Sequence, residues 1–423
     1  MNISDGFSIL LQNNEVDFED LNKSLLGIVE KLDNVYYPDD NRERHYQMSG
    51  SVGRGTAICD SDVDFCYILP NEVYGRFLSR KGNIQSSLLS EVKTKLQSKY
   101  PNTDIKGDGQ VVDTNFKKGL FEIVPSFCLN SSDVLVYPDS HDNGKWLTTS
   151  PLRQKKSADD FANRYFIYRP LCQILRCWRY EQNVDIKGIE IDMLVRRFLE
   201  ERPKFCRCRI RDVNILSLLS ELFSYLYFCT DSYFKIAGEN LQLDLNCKKF
   251  SKKAKRARKM LEEADIQGLW ENCRILFGQR FPKHPSFLDA SENTEQFINQ
   301  LYPVRIKNKL IIDCNIDCDG FRSQKLSMLL SNDNLETFYV VRKAASLNFY
   351  IDFCDVAQPY EIFWKARNVG EEAIKRKQVR GQIIKGGCTH KETSLFHGPH
   401  FVECYIVKDG QCVAKSRIDV PIF

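Results

Sequence analysis

Residues Met48-Ser-Gly-Ser-Val-Gly-Arg-Gly-Thr-Ala-Ile-Cys-Asp-Ser-Asp-Val-Asp-Phe65 decide how this chain is read. A Gly-Ser pair and a Gly-Thr pair precede Asp62 and Asp64, and Asp64 lies in the apolar run Val63 to Leu69. The run begins with strand-like alternation, and residues two apart on a strand share a face. Two carboxylates side by side are hard oxygen donors suited to Mg²⁺ or Mn²⁺. The glycine-rich segment, with Ser51, can turn backbone N–H groups toward a phosphate. A phosphate cradle beside a two-carboxylate metal site is what nucleotidyl transfer needs, with metal ions activating the attacking hydroxyl and stabilising the leaving pyrophosphate.

Working outward, residues 15–33 repeat apolar side chains at helical spacing, and 84–98 do the same. A short strand over His45 to Met48 is expected to lead into the glycine-rich loop, which opens a short helix before the Asp62–Asp64 strand. Residues 110–127 read as a hairpin through a Lys-Lys-Gly turn. On its second strand Glu122 stands between Phe121 and Ile123. A carboxylate in an otherwise apolar strand must be paired or bind a metal, so Glu122 is the expected third acid, with Asp113 on the preceding strand as the fallback. Residues 136–151 are rich in turn formers and read as loop.

Helices are expected over 169–179, 187–198 and 213–228. The first carries Leu171, Ile174, Leu175 and Trp178 on one face and Arg169, Arg176 and Arg179 along another. That arginine stripe suits either triphosphate oxygens or solvent. Eight of the twelve residues 248–259 are Lys or Arg, with apolar residues at helical intervals. The segment reads as the outer face of a packed helix or as a polyanion surface. A boundary is expected near 285–305, with Pro285 to Asn293 as linker. Beyond it the pattern turns to short strands, starting at 309, 347, 361, 379, 400 and 416, as in a compact β-sandwich.

Composition bounds the rest. The chain has 423 residues and a formal net charge of +4, which allows an anionic substrate but not bulk coating of nucleic acid. No apolar run reaches membrane-spanning length, and no signal peptide is visible. The sixteen cysteines are then expected to be reduced, in a cytoplasmic protein. None forms Cys-x-x-Cys, and Cys206-Arg-Cys208 is poorly spaced for zinc.

The Gly-Ser … Asp-x-Asp signature resembles that of the DNA polymerase β-like nucleotidyltransferases. Residues 45–285 resemble more narrowly the SMODS type of CD-NTase, relatives of cyclic GMP–AMP synthase and oligoadenylate synthetase. Phe121-Glu-Ile-Val-Pro-Ser-Phe127, Leu171-Cys-Gln-Ile-Leu-Arg-Cys-Trp178 and Gly188-Ile-Glu-Ile-Asp-Met-Leu194 carry that resemblance. From about 296 the chain is similar to the AGS-C sensor domain attached to such enzymes, through Pro359 to Ala373, Arg380-Gly-Gln-Ile383, His390-Lys-Glu-Thr393 and Gly398 to Ile406.

The resemblance implies an α+β fold: a nucleotidyltransferase core with a helical lobe over 1–290, followed by a smaller β-sandwich-like domain over 296–423. It implies an enzyme that joins NTPs into a cyclic di- or trinucleotide, in antiphage signalling where the product activates a separate effector protein. Asp62, Asp64 and Glu122 would hold two Mg²⁺ or Mn²⁺ ions. Gly50, Ser51 and Thr56 would shape or contact the donor triphosphate. Glu stands at 122 where Asp is common, and Ser49 where Gln often precedes Gly-Ser. The open alternatives are a linear oligonucleotide synthetase, an RNA-tailing enzyme, or a nucleotide-binding scaffold. In the C-terminal domain, His390, Glu392 and His400 are either ligand-pocket residues or a structural network.

Overall fold

A computed structural model describes residues 2–40, 44–116, 119–129, 133–238, 242–262, 266–283, 295–318, 320, 322–330, 341–368, 371–376 and 378–422. The expected Lys117-Lys118 turn and the Pro285–Asn293 linker lie outside them. The chain forms two compact units, residues 1–264 with 272–282, and 265–271 with 283–423.

In chain order the first unit begins α1 (Ile3–Asn13), α2 (Phe18–Tyr36), β1 (Tyr46–Met48), α3 (Gly50–Arg54), β2 (Val63–Leu69), α4 (Asn71–Leu78) and α5 (Ile84–Gln97). Then come β3 (Asp104–Asp108), β4 (Val111–Phe116), β5 (Gly119–Phe127), β6 (Leu135–Asp139) and β7 (Lys145–Thr149). The helices α6 (Pro151–Arg164), α7 (Tyr168–Glu181), α8 (Gly188–Glu200) and α9 (Ile215–Phe228) follow. After a hairpin of β8 (Ser232–Lys235) and β9 (Gln242–Leu245) comes α10 (Ser251–Glu262); α11 (Ile266–Phe277) follows, divided between the two units after Glu271.

Seven strands form one sheet in the order β1-β2-β5-β4-β3, with β6 and β7 continuing from β5; β2 and β5 run parallel. Alternation sets the faces. Val63, Phe65, Tyr67 and Leu69 of β2, with Phe121, Ile123 and Phe127 of β5, pack under Leu25, Ile28, Val29 and Leu32 of α2 and Leu88, Leu89, Val92 and Leu96 of α5. That leaves Asp64 and Glu122, at the intervening positions, on the opposite face. Pro125 lies inside β5, where a strand proline would ordinarily interrupt pairing; the β4 ladder has already ended at Val112↔Ile123, so no bond is lost on that side.

Two sequence expectations change. Residues 136–151 are not irregular but hold the β6–β7 hairpin. The opening helix is preceded by another, α1, which starts at a capping box between Asn2 and Asp5. The basic segment is helical, with Ala254, Ala257, Met260 and Leu261 buried. Lys253 donates to the Gln182 and Asn183 carbonyls at 2.6 and 2.8 Å, just past the end of α7, where cations and donors are favoured. Part of the basic run therefore has a structural use. Among the described residues no helix is long and apolar enough to cross a membrane.

The second unit contains α12 (Ile298–Leu301), β10 (Leu310–Asp317), β11 (Gln324–Lys325), α13 (Leu326–Leu330), β12 (Ser346–Cys354), β13 (Glu361–Arg367) and α14 (Glu371–Lys375). It ends with β14 (Arg380–Gly386), β15 (Thr389–Thr393), β16 (Gly398–Lys408) and β17 (Gln411–Ile422). Two four-stranded antiparallel sheets, β11-β10-β12-β15 and β14-β13-β16-β17, enclose one apolar core that includes Ile312, Leu347, Phe349, Trp364, Cys404 and Ile418. The six strands expected from sequence are present. The short β11 and β15 are additional, and β15 contains His390-Lys-Glu-Thr393.

Candidate active site

The glycine-rich loop is folded around Asp64. The Ser49 N–H donates to the Asp64 carbonyl at 2.9 Å. Gly50 then takes φ +57°, and a Cβ built there would stand 1.8 Å from Asp64 Oδ2. Both the left-handed backbone and the approach of the carboxylate require glycine. The loop continues as α3 and turns out at Gly55, φ +70°. Ser51 is partly exposed, and its carbonyl accepts from the Thr56 N–H at 2.9 Å.

Three carboxylates lie in one row across the sheet. Asp64 is in register with Glu122 on β5, and Glu122 is directly opposite Asp113 on β4. Directly paired residues project to the same side. Asp62, two residues before Asp64, is exposed just outside β2, whereas Asp113 is buried. Burial first, and then the charge of Asp62, push the Asp64 carboxyl up to about 6, while Glu122 and Arg54 act in the lowering direction. Close like charges in a partly desolvated place resist ionising together, and a cation among them relieves that cost.

The donor set is carboxylate oxygen, which fits a hard divalent cation and not a soft one. Gly50, which has no side chain to block Asp64, keeps that carboxylate approachable from the loop. Among the described residues no three acid, His or Cys side chains already converge on one point.

Behind the loop lies a network that the motif did not announce. Asp192 of α8 is fully buried. It accepts from Arg54 Nε at 2.8 Å, Arg176 NH1 at 2.6 Å and Thr56 Oγ1 at 3.0 Å. Burial opposes its charge, but Arg176 and Arg54 outweigh burial and hold the carboxyl below the usual range. The network ties the far end of the glycine-rich loop to α7 and α8. Asp192 stands in Ile191-Asp-Met-Leu-Val195, so the argument applied to Glu122, a carboxylate in an apolar run, would have found it.

This corrects one expectation and narrows another. Arg176 is 4% exposed and also donates to the Gly188 carbonyl at 3.0 Å, so its charge is spent inside the fold and not on an exposed stripe. Thr56 is fully buried and shapes the loop through Asp192 instead of presenting its hydroxyl. Arg169 pairs with Asp159 and donates to the Arg54 carbonyl at 3.2 Å. Arg179 is the exposed member of the three on α7. Its guanidinium holds its proton less tightly because of burial around the group and the nearby Arg176, with Asp62 acting the other way.

A glycine loop folded onto the first of two register-paired carboxylates, on adjacent parallel strands, is the arrangement of a nucleotidyltransferase. Residues 1–161 match the Second Messenger Oligonucleotide or Dinucleotide Synthetase domain, SMODS. Residues 292–423 match AGS_C, the Adenylyl/Guanylyl and SMODS C-terminal sensor domain. The chain therefore joins a SMODS nucleotidyltransferase domain, of the second-messenger oligonucleotide or dinucleotide synthetase type, to the sensor domain that accompanies it, and such enzymes generally use divalent metal ions.

No curated protein matches the chain. Among solved structures it is similar to CdnC of Escherichia coli MS115-1 in a complex with HORMA-deltaN, at 16% identity and TM-score 0.48, over 66% of this chain and 98% of that one. It is also similar to the CdnE cyclic dinucleotide synthase of Elizabethkingia meningoseptica, at 14% identity and TM-score 0.45, over 60% and 98%. The di-nucleotide cyclase of Vibrio cholerae aligns at 13% identity and TM-score 0.45, over 56% and 70%.

Proposed function

We propose that the Asp64–Glu122 row is the catalytic centre and that the product is a cyclic di- or trinucleotide signal, made in antiphage defence to activate a separate effector protein. The reading rests on one observation above the others: Asp64 and Glu122 in register on parallel strands, with Gly50 held against Asp64. Asp62, Asp64 and Glu122 would hold two Mg²⁺ or Mn²⁺ ions. When bound, such ions neutralise phosphate oxygens and make the acceptor hydroxyl more acidic.

The residues of the chain have separable tasks. Gly50 leaves room for the donor phosphates, and Ser51 offers its N–H and hydroxyl to them. Glu122 stands beside Asp64 to assist removal of the proton from the attacking 3′- or 2′-hydroxyl. The oxygen then attacks the α-phosphate in line and pyrophosphate leaves, a reaction governed by positioning and charge neutralisation. Arg179, exposed on α7, would be the arginine of that helix to meet phosphate oxygens, and Asp192 keeps the loop in shape from behind.

Incubation of the full chain with the four NTPs and Mg²⁺ or Mn²⁺, followed by phosphatase and mass spectrometry, tests the reading. The expected result is a phosphatase-resistant product of cyclic mass that is absent from the Asp62→Ala/Asp64→Ala variant. A phosphatase-sensitive ladder would replace the cyclic product with a linear one. Equal product from the variant would remove these carboxylates from the mechanism.

A further inference from the structure

The charged groups first noted in the C-terminal unit tie that unit's own strands together. Glu392 accepts from both Arg380 nitrogens at 2.6 and 2.8 Å, His390 Nε2 is 2.8 Å from Glu392 Oε1, and His400 Nε2 is 3.0 Å from the Phe396 carbonyl. An ion pair of the first unit does more. Asp60, Asp62 and Asp64 alternate along the chain, and an extended strand would project all three carboxylates to one side. Instead the chain turns before β2. The Ser61 N–H donates to the Ile58 carbonyl at 2.8 Å, and the Ser61 hydroxyl accepts from the Ile58 N–H at 3.0 Å. Asp60 lies in that turn and not on the strand, which starts at Val63.

Three distant parts of the chain hold the turn from outside. Gln173 of α7 donates through Nε2 to the Ala57 carbonyl at 3.0 Å. The carbonyl of Asn14, a buried residue just past α1, accepts from the Cys59 N–H at 3.0 Å. Arg280, two residues before the first unit ends at Pro282, donates through NH1 and NH2 to the two oxygens of Asp60, the NH2 bond at 3.0 Å. Arg280 is itself fixed. Its carbonyl accepts from Asn13 Nδ2 at 2.9 Å. The next residue, Phe281, is fully buried with its ring edge-on to Phe7 of α1 at 5.0 Å, and its carbonyl accepts from Arg274 NH1 at 2.6 Å.

Stability does not account for this clamp. The Arg280 and Asp60 side chains are 27% and 25% exposed, and ion pairs open to water contribute little to folding. What a two-pronged contact between guanidinium and carboxylate supplies is orientation. Here the oriented residue stands two positions before Asp62. The contact also takes up the charge of Asp60, which would otherwise add a third acid to the repulsion between Asp62 and Asp64.

We propose that Arg280 is a positioning residue for the metal site: by holding Asp60 in the turn, it sets Asp62 beside Asp64 for a divalent cation. The last turn of the catalytic unit is then part of the frame of its active site, although 220 residues separate the two partners. The inference rests on the reading of Asp62 and Asp64 as metal ligands, and its test keeps the two claims apart.

Metal binding is read without turnover, from the electron paramagnetic resonance signal of free Mn²⁺ titrated into the full chain. Synthesis is followed beside it as a function of Mg²⁺. Arg280→Gln should weaken Mn²⁺ binding by about threefold or more and raise the Mg²⁺ concentration for half-maximal synthesis by a similar factor. Asp60→Asn should do the same, and the double variant no more, because one contact is lost in each. Arg76→Gln breaks another two-pronged pair of the same unit, with Glu91 at 3.1 and 2.6 Å, and should change neither quantity. If Arg280→Gln does not fold, Asp60→Asn carries the test. A smaller loss of Mn²⁺ binding, additive losses in the double variant, or an equal loss in Arg76→Gln would overturn the proposal alone. Mn²⁺ binding unchanged in Asp62→Ala/Asp64→Ala would remove the metal-site reading, and this proposal with it.

Discussion

Each unit of this protein carries a row of three ionisable side chains across adjacent strands, and the two rows are built on opposite principles. In the first, Asp64, Glu122 and Asp113 are all acids. In the second, Lys365 of β13, Glu403 of β16 and Arg417 of β17 alternate in sign. Lys365 is 2% exposed, yet it is fully compensated, with Glu295 at 2.9 Å and Glu403 at 3.2 Å. It also lies 4.5 Å above the Phe297 ring. Burial opposes the charge of Glu403, but Lys365 and Arg417 overcome it and hold the carboxyl down at about 2, whereas the Asp64 carboxyl is pushed up. A self-neutralised row is finished and holds a domain together. The first row, by contrast, has one sign throughout.

The largest expected effect separates the rows by function. Asp64→Asn should reduce nucleotide synthesis by roughly a thousandfold or more, the several kcal/mol that a lost metal ligand removes. Its urea midpoint should stay unchanged or rise, because a repelling charge has gone. A marked fall in the midpoint would show that this row is structural after all.

The reverse holds in the second row. Lys365→Met leaves Glu403 and Glu295 buried without their lysine, and unfolding of the C-terminal unit should become easier by about 3–5 kcal/mol. Hydrogen exchange on peptides from β13 and β16 reads this directly; unchanged protection would mean that the row is dispensable.

Next in size is Gly50→Ala. The new methyl meets Asp64 in a left-handed backbone, and displacement of the carboxylate should lower synthesis roughly a hundredfold while β2 stays protected from exchange. Wild-type rates would detach the loop from the site.

The smallest effect is a pH dependence. Glu403 has a folded pKa of about 2 against an ordinary 4.5. Its depressed value contributes stability that is complete above about pH 4.5 and is lost as pH falls toward 2. Urea midpoints of the C-terminal unit should fall through that window, and less steeply in Lys365→Met. Equal slopes would assign the acid sensitivity to other carboxylates.

Much of this was legible in the chain. The alternation in Val63 to Leu69 placed Asp64 away from the core, and Phe121-Glu-Ile123 did the same for Glu122, because a strand has a fixed period of two. The C-terminal strands were visible for the same reason. The β6–β7 hairpin was not, since Val136 to Trp146 carries Pro, Asp, Asn and Gly that read as loop until the two strands pair. The stripe of Arg169, Arg176 and Arg179 was misjudged because helical spacing gives a face but not what covers it. Asp192 covers Arg176 from another helix, whereas Arg179 stays exposed.

By itself, then, the sequence pointed to a nucleotidyltransferase through a motif that resembles a known family's, and to a β-rich second domain through short-range periodicity that needs no partner to be read. Only the tertiary structure decided which charges are spent. Arg176 went to Asp192 and Lys365 to Glu295 and Glu403, while Asp64, Glu122 and Asp113 were set side by side on adjacent strands. Whether a charge is compensated depends on what lies within a few ångströms of it after burial, and those neighbours come from strands and helices far apart in the chain.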